Sequence, residues 1–165
     1  MKKLDKSKDI YEESNIFIIN APSEVYNKKD EEYKIKSYQH LTNVLGIGHL
    51  EFFTITALIG KFIVKERKKI EGSTETLFRF EDGKHKDETQ ILIALAVNEV
   101  HTPYILKDYK AMSTIWQEYS YSGFEKLYEW YEDETIDFET KLSEVIMNMA
   151  DKNELFEIDN FDIYD

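Results

Sequence analysis

Apolar residues return every three or four positions along most of the chain between residues 30 and 150. The pattern is densest in residues 115–131, IWQEYSYSGFEKLYEWY, which hold seven aromatic rings around a single glycine, Gly123. Residues three and four apart lie on one face of an α-helix, so this spacing predicts helix with most of the rings in the core. Tyr121 and Tyr128 fall off the apolar stripe and are predicted to be exposed. Gly123 marks either a helix end or a close contact between two helix backbones.

Four other segments carry helix signals. Residues 30–45 begin with acidic side chains, which suit a helix N-terminus, and they stop at Gly46. Residues 50–60 are apolar on nearly every face, which is typical of a central helix. Asp87 and Asp137 are the predicted caps of two further helices, which begin after them and extend to about residues 100 and 150.

Three short apolar runs predict β structure. Residues 62–64 and 77–80, with polar turn residues between them, predict a small two-stranded ribbon. Residues 16–19 end at Pro22 and form either one edge strand or an arm that docks on the body, and residues 104–106 are predicted to be a short extended link. Together these patterns predict a mainly α fold of the α+β type, a compact bundle of about five helices with a small two-stranded β ribbon.

The composition fits one helical domain at residues 30–150, with an N-terminal arm at 1–29 and an acidic tail at 151–165. A chain of 165 residues buries roughly two-thirds of its unfolded surface, enough for one core. The absence of cysteine excludes disulfides and thiolate metal sites. No apolar run reaches the roughly 18 residues that span a bilayer, and residues 1–15 lack the apolar stretch of a signal peptide. We therefore expect a cytoplasmic protein without membrane contact.

The net charge of −12 is concentrated in the last quarter of the chain. Residues 125–165 contain 14 Asp and Glu against 3 Lys, a net of −11, so residues 1–124 carry only −1. This acidity repels phosphate backbones, so we expect weak or no direct nucleic-acid binding. The opposite pole is a basic run at residues 61–69, for which a solvated loop or strand edge is the favoured interpretation and nucleic-acid contact the minor one. Its candidate contact residues are Lys61, Lys65, Arg67, Lys68 and Lys69.

No catalytic motif stands out in the sequence. None of the four histidines lies at the spacing of a metal-ligand pair, and no phosphate-binding loop or nucleophile elbow is present. Two Glu-X-Lys triplets, at residues 32–34 and 66–68, resemble parts of metal-dependent nuclease cores. Only Glu66 follows a strand-like run, and no upstream Asp is evident to share the metal. We predict no cofactor, no metal and no enzymatic activity, while an enzyme of unrecognised type stays open.

The tail alternates acidic and large apolar residues between residues 155 and 164. Its acidic side chains leave it little chance of forming a core alone, and soluble proteins normally limit exposed apolar surface. We predict that it packs on its own domain or docks on a partner or a second copy, as a strand added to a sheet edge. The acidic residues favour a basic groove in that partner. The predicted partner-binding residues are Phe156, Ile158, Phe161, Ile163 and Tyr164.

Three blocks of the sequence resemble, in order, those of a family of small bacterial proteins. The stretch FFTITALIGKF is similar to an F..A..LG helix, TLFRFEDGKHKDETQILIALAVNEV to a basic-aromatic strand followed by a helix rich in IALA, and LKDYKAMSTIWQEYSYSGFEKLYEW to a block centred on EEYANGG. The family that this chain resembles is that of the Dnd system-associated small proteins, which are found beside DNA phosphorothioation genes. The resemblance extends from Tyr33 to Ile146. It departs from the family at the first glycine of EEYANGG and at residues 67–70, where the family is richer in arginine.

The resemblance implies an accessory component of a phage-defence system that acts with larger helicase or nuclease subunits. It supplies no catalytic residues. We therefore expect a non-catalytic adaptor that works through protein–protein contacts, with a homo-oligomer as a further option. The alternative is an acidic DNA mimic, perhaps encoded by a phage, that inhibits a DNA-binding protein by placing carboxylates where phosphates bind. A mimic needs its acidic groups on a rigid surface, whereas an adaptor can keep them on a tail.

Overall fold

The computed structural model describes residues 16–23, 25, 28–29, 35–36, 38–81 and 83–151. Within these residues helices dominate, and two small antiparallel sheets complete the fold. The predicted mainly α fold, with about five helices and a small two-stranded ribbon, is confirmed. The strands are β1 (Ile16–Pro22), β2 (Lys28–Lys29), β3 (Ile35–Lys36) and β4 (Thr74–Glu81). The α-helices are α1 (Tyr38–Leu45), α2 (His49–Ile59), α3 (Lys86–Val100), α4 (Tyr109–Glu132) and α5 (Phe138–Asp151).

Helices α2 and α4 form the centre of the molecule. As predicted, α2 is apolar on nearly every face, and eight of its eleven residues are buried. In α4 the side chain of Trp116 is fully buried, and its indole N–H donates a hydrogen bond of 2.6 Å to the carbonyl oxygen of Leu92 in α3. A buried indole needs such a partner, because an unsatisfied N–H in the core is costly. The aromatic stretch is therefore mostly core, as its spacing predicts.

Two glycines allow α2 and α4 to touch backbone to backbone. A Cβ atom on Gly123 would lie 1.8 Å from the carbonyl oxygen of Thr56, and one on Gly60 would lie 2.0 Å from that of Tyr119. Neither position has room for a side chain, so both require glycine. Beside them the hydroxyl groups of Thr56 and Ser120 share a hydrogen bond of 2.7 Å. Of the two interpretations of Gly123, the close contact is right, and α4 continues through it without a break.

The larger sheet pairs β1 with β4 in antiparallel orientation. Phe17 and Ile19 of β1 face the core and are buried. The backbone N–H of Asn20 donates a hydrogen bond of 2.5 Å to Oε1 of Gln117 in α4. Of the two alternatives for this segment, the strand is right, and it is held by β4 on one side and by α4 on the other.

The predicted strand partner of β4 is wrong. Residues 62–64 belong to a π-helical turn, Gly60–Val64, that continues α2. Phe62 and Val64 are half-buried and pack against the core from this turn. A short run of β-branched and aromatic residues fits a strand and a buried helix end equally well, so periodicity cannot separate them. The true partner, β1, lies far away in the sequence.

Two further local predictions are wrong. Helix α1 begins at Tyr38 instead of near residue 30, and Ile35–Lys36 form strand β3. Residues 104–106 lie in a 3₁₀ helix, Pro103–Lys107, instead of an extended link. The proline favours the start of this helix, and the hydroxyl oxygen of Thr102 accepts a hydrogen bond of 3.4 Å from the Tyr104 N–H.

The two predicted helix caps differ in outcome. Helix α3 begins at Lys86, so Asp87 lies in its first turn, where a negative charge suits the helix dipole, and does not cap it. Asp137 precedes α5 as predicted, and its carboxylate accepts a hydrogen bond of 3.3 Å from the Thr140 N–H. Such a bond satisfies one of the free N–H groups at a helix start.

Tyr121 and Tyr128 are buried, contrary to the prediction from their positions off the stripe. The ring of Tyr128 lies 6.0 Å from that of Phe124, and the ammonium group of Lys68 lies 4.6 Å above the Tyr121 ring. Helix α4 contacts β1, α2, α3 and α5. A helix that is enclosed by several elements buries more than one stripe, so a single-face pattern underestimates its core.

We expect Gly123→Ala to destabilise the protein by about 3 kcal/mol or more, because the new methyl group overlaps the Thr56 carbonyl and forces the two helices apart. Chemical denaturation measures the loss as a lower transition midpoint. Gly48→Ala is the matched control, since a Cβ atom there meets nothing within 4 Å, and it is expected to cost at most about 1 kcal/mol. A Gly123→Ala protein as stable as the control would contradict the close contact.

Candidate functional site

The basic segment, which we define as residues 61–69, is the candidate contact surface that falls within the described residues. It begins in the π-helical turn after α2, and only from Lys65 onward is it the loop that the favoured interpretation predicts. Lys65 ends the turn in the left-handed conformation, with φ of 60°, and its N–H donates a hydrogen bond of 2.8 Å to the Gly60 carbonyl. Three of the five cations in the segment bind carboxylates of α3 and α4.

Glu99, near the end of α3, lies at the centre of this pairing. Its Oε2 atom is 2.7 Å from the Lys61 Nζ and accepts a hydrogen bond of 2.6 Å from the Tyr119 hydroxyl. Its Oε1 atom is 3.3 Å from a terminal nitrogen of Arg67. Both carboxylate oxygens are therefore bound, and three donors from different parts of the chain converge on one side chain. We call Lys61, Arg67, Glu99, Glu118 and Tyr119 the polar cluster.

A second set of contacts fixes the loop to one face of α4. The Arg67 Nε lies 2.8 Å from a carboxylate oxygen of Glu118, and Lys68 forms an ion pair with Glu125. The Lys68 N–H also donates a hydrogen bond of 3.1 Å to the Glu118 carbonyl, and the Ser122 hydroxyl donates one of 2.7 Å to the Glu66 carbonyl. Residues 118, 122 and 125 are spaced by four and three, so they lie on one face of the helix.

The electrostatics of the polar cluster favour a structural role. Burial opposes the ionised form of Glu99, but hydrogen bonds from Lys61 and Tyr119 and the charges of Lys61 and Arg67 outweigh it and lower the pKa of Glu99. Burial, followed by the hydrogen bond to Glu99 and its negative charge, raises the pKa of Tyr119 well above its usual value. At neutral pH the tyrosine is a neutral donor and the glutamate a charged acceptor. A phenol held in this way does not accept a proton in a reaction.

Among the described residues, those of the predicted basic contact patch fall into two groups, two without an ion pair and three with one. Lys65 and Lys69 are exposed and form no ion pair within the described part of the chain, whereas Lys61, Arg67 and Lys68 are engaged. Sequence reasoning missed the carboxylates that bind them, because ion pairs between distant residues leave no local pattern. The predicted partner-binding residues, Phe156, Ile158, Phe161, Ile163 and Tyr164, lie outside the described residues.

Three further features of the described residues bear on the search for a site. No group of three or more His, Cys, Asp or Glu side chains among them lies close enough to hold a metal ion. A cleft between Asn20, Tyr38 and Tyr121 has room for about one water molecule, far less than the several hundred Å³ of a typical small-molecule pocket. Glu66, of the second Glu-X-Lys triplet, belongs to the loop described above and not to a strand.

In the part of the chain that is described, no single helix combines the length and the apolar character needed to cross a membrane. Helix α1 together with residues 49–64 meets those two criteria, but only as a pair bent by 105°.

No family model matches the chain, and neither does any curated protein or solved structure. The likeness to the Dnd system-associated proteins thus rests on the quoted residues and stays a prediction. The three stretches of sequence that carry this likeness correspond to α2, to β4 with α3, and to α4.

We expect Glu99→Gln to lower the free energy of unfolding by about 1 to 2 kcal/mol at neutral pH, since the amide keeps the shape of the carboxylate but loses its charge. The pKa of Glu99 is lowered by folding, so its charge contributes fully above the unfolded pKa of about 4.3 and the contribution is lost as the pH falls through the folded pKa. The difference between the two proteins should therefore shrink in acid, as urea denaturation at a series of pH values would show.

Glu129→Gln is the control for this experiment. Glu129 is 67% exposed and pairs with Lys126 at 2.9 Å, three residues away on the same helix. Its loss is expected to change stability by no more than about 0.5 kcal/mol at any pH. A Glu99→Gln difference that stays constant from neutral to acid pH would show that the charge of Glu99 is not what stabilises the cluster.

We expect the isolated protein to bind duplex DNA weakly or not at all, because most of its basic segment is already paired and its net charge is −12. Fluorescence anisotropy with a labelled duplex at a series of salt concentrations measures this. A sub-micromolar Kd at physiological salt that weakens steeply as salt rises would contradict it.

Proposed function

We propose that this chain is a non-catalytic accessory subunit, an adaptor, in a bacterial DNA modification or restriction system of the phosphorothioation type that defends against phage. It acts through protein–protein contacts in the cytoplasm, and its partner is a larger subunit of the helicase or nuclease type. The resemblance of residues 33–146 to the Dnd system-associated proteins supports the choice of system. The contacts of the basic segment support the mode of action.

The observation that carries the mode of action is the pairing of Arg67. Its Nε contacts Glu118 at 2.8 Å and a terminal nitrogen contacts Glu99 at 3.3 Å, so the guanidinium group is engaged on two sides. Arginine is the side chain best suited to bind phosphate in two-pronged fashion. With two of its three nitrogens bound to the protein's own carboxylates, a DNA phosphate would have to compete with two ion pairs for this side chain. This favours recognition of proteins over recognition of nucleic acid.

The same pairing leaves three of the chain's 33 acidic side chains unavailable to a DNA mimic, which stays the second candidate function. A mimic works by presenting free carboxylates to a basic groove. Glu99, Glu118 and Glu125 instead bind cations of their own chain. The two functions differ in one measurable respect. A mimic would compete with DNA for its target, whereas an adaptor would remain bound to its partner in the presence of DNA.

If the chain is an adaptor, we expect it to co-purify with a large subunit encoded beside it, even after nuclease treatment has removed DNA. A full-length variant with Phe156→Ser and Phe161→Ser tests the tail, and Asp159→Asn is its control because it leaves the apolar residues in place. We expect the apolar variant to lose the subunit by about tenfold or more and the control to keep it. Failure of the unaltered chain to co-purify with any such subunit would overturn the adaptor, and retention by the apolar variant would overturn only the role of the tail.

A further inference from the structure

The 3₁₀ helix Pro103–Lys107 and the first turn of α4 expose several large apolar side chains in a short stretch. Tyr104 is 76% exposed, Tyr109 46% and Leu106 41%. We call residues 103–110 the tyrosine turn. Single exposed apolar residues are ordinary on protein surfaces, but here three lie within six positions, and concentrations of exposed apolar side chains mark contact sites.

The tyrosine turn is held in place by its own contacts. The Thr102 hydroxyl accepts a hydrogen bond from the Tyr104 N–H, and the Asp108 carboxylate accepts one of 2.9 Å from the Ala111 N–H at the start of α4. The Tyr109 ring lies edge-on against Phe17 of β1, with 5.5 Å between ring centres. Exposed aromatic side chains on an ordered backbone lose little entropy on binding, which is why tyrosine is frequent at energetically important contacts.

The charges around the turn define the partner it suits. Lys107 and Lys110 are exposed, and within the described residues neither forms an ion pair. Residues 103–110 carry these two lysines and one aspartate, Asp108, whose carboxylate is bound to the Ala111 N–H, so the turn has a net charge of +1 in a protein whose net charge is −12. Opposite charge on a partner speeds encounter and excludes basic competitors. The surface is complementary to a segment that carries both carboxylates and large apolar groups.

Single-stranded nucleic acid also combines negative charge with flat rings that stack on tyrosine. Two lysines offer few phosphate contacts, however, and the acidic remainder of the protein repels a long polyanion. Leu106 and Pro103 add aliphatic surface, which suits aliphatic side chains better than a phosphate backbone. The contacts favour a peptide.

We propose that the tyrosine turn is a docking site for an acidic linear segment of a partner protein, in which apolar side chains cover Tyr104 and Leu106 and carboxylates bind Lys107 and Lys110. The proposal rests on the adaptor function and deepens it by naming a surface and the chemistry of the segment that binds there. It is separate from the tail, which is a second candidate contact on the same chain.

A selection from displayed random short peptides tests this on the immobilised full-length protein. We expect enriched peptides to combine Asp or Glu with Phe, Leu, Trp or Tyr. Their affinity should fall about tenfold or more on a Tyr104→Ser/Leu106→Ser variant, and severalfold on Lys107→Gln/Lys110→Gln. Lys84→Gln is the matched control, since Lys84 is 69% exposed and lies in another part of the chain. Because all these side chains are exposed, thermal melting should confirm that each variant remains folded.

Two parallel arms separate the other occupants. The tail has the same acidic-apolar composition as the proposed partner segment, so the selection is repeated on full-length protein with Phe156→Ser and Phe161→Ser. If peptides are enriched only on that variant, the chain's own tail occupies the turn, and the proposal of a partner segment is overturned. A labelled oligo-dT that binds the unaltered protein and is lost on Tyr104→Ser/Leu106→Ser would assign the turn to nucleic acid.

No enrichment on either protein, or enrichment of basic peptides, would also overturn the proposal. The adaptor function fails by a different result, the absence of any co-purifying subunit, so the two failures are distinguishable.

Discussion

The contact of α2 with α4 at Gly60 and Gly123 is the constraint on which the rest of the structure depends. Because neither glycine carries a Cβ atom, the two helix backbones come within van der Waals distance, and the hydroxyls of Thr56 and Ser120 meet between them. The contact also places the end of α2 against the middle of α4. It is there that the helix changes to a π-helical turn and brings Lys61 within 3.4 Å of the Tyr119 hydroxyl. The position of the basic segment follows from this approach.

The polar cluster joins three elements at the rim of the apolar core. Glu99 comes from α3, Tyr119 from α4 and Lys61 from the turn after α2. Charges in such a position are partly withdrawn from water, so their attraction has to offset a loss of hydration. The cost is moderate here because the Glu99 side chain is still 22% exposed. In return these contacts fix the relative positions of the three elements, since each charged side chain satisfies its partners in only one geometry.

The helices could be predicted from periodicity, and the contacts between distant segments could not. Apolar spacing identified the aromatic stretch as core, but it missed that Tyr121 and Tyr128 are also buried, because it cannot show how many elements surround a helix. The run at residues 62–64 has the composition of a strand, yet it continues α2. The pairing of β1 with β4 and of Lys61 with Glu99 joins residues separated by dozens of positions. No local pattern encodes such pairs, so the paired state of the basic segment, the central point of the candidate site, cannot be predicted from the sequence.

The bond between Asn20 and Gln117 has a consequence for the order in which the protein is made. Its two residues are 97 positions apart, so β1 leaves the ribosome long before the helix that covers it. Until α4 has been synthesised, Phe17 and Ile19 lack the surface that buries them in the finished protein. Contacts of such sequence separation slow folding and leave apolar strands exposed in the meantime. Strand β1 is thus synthesised well before α4 and cannot dock on it until then, and chaperones that bind extended apolar segments would meet it at that stage.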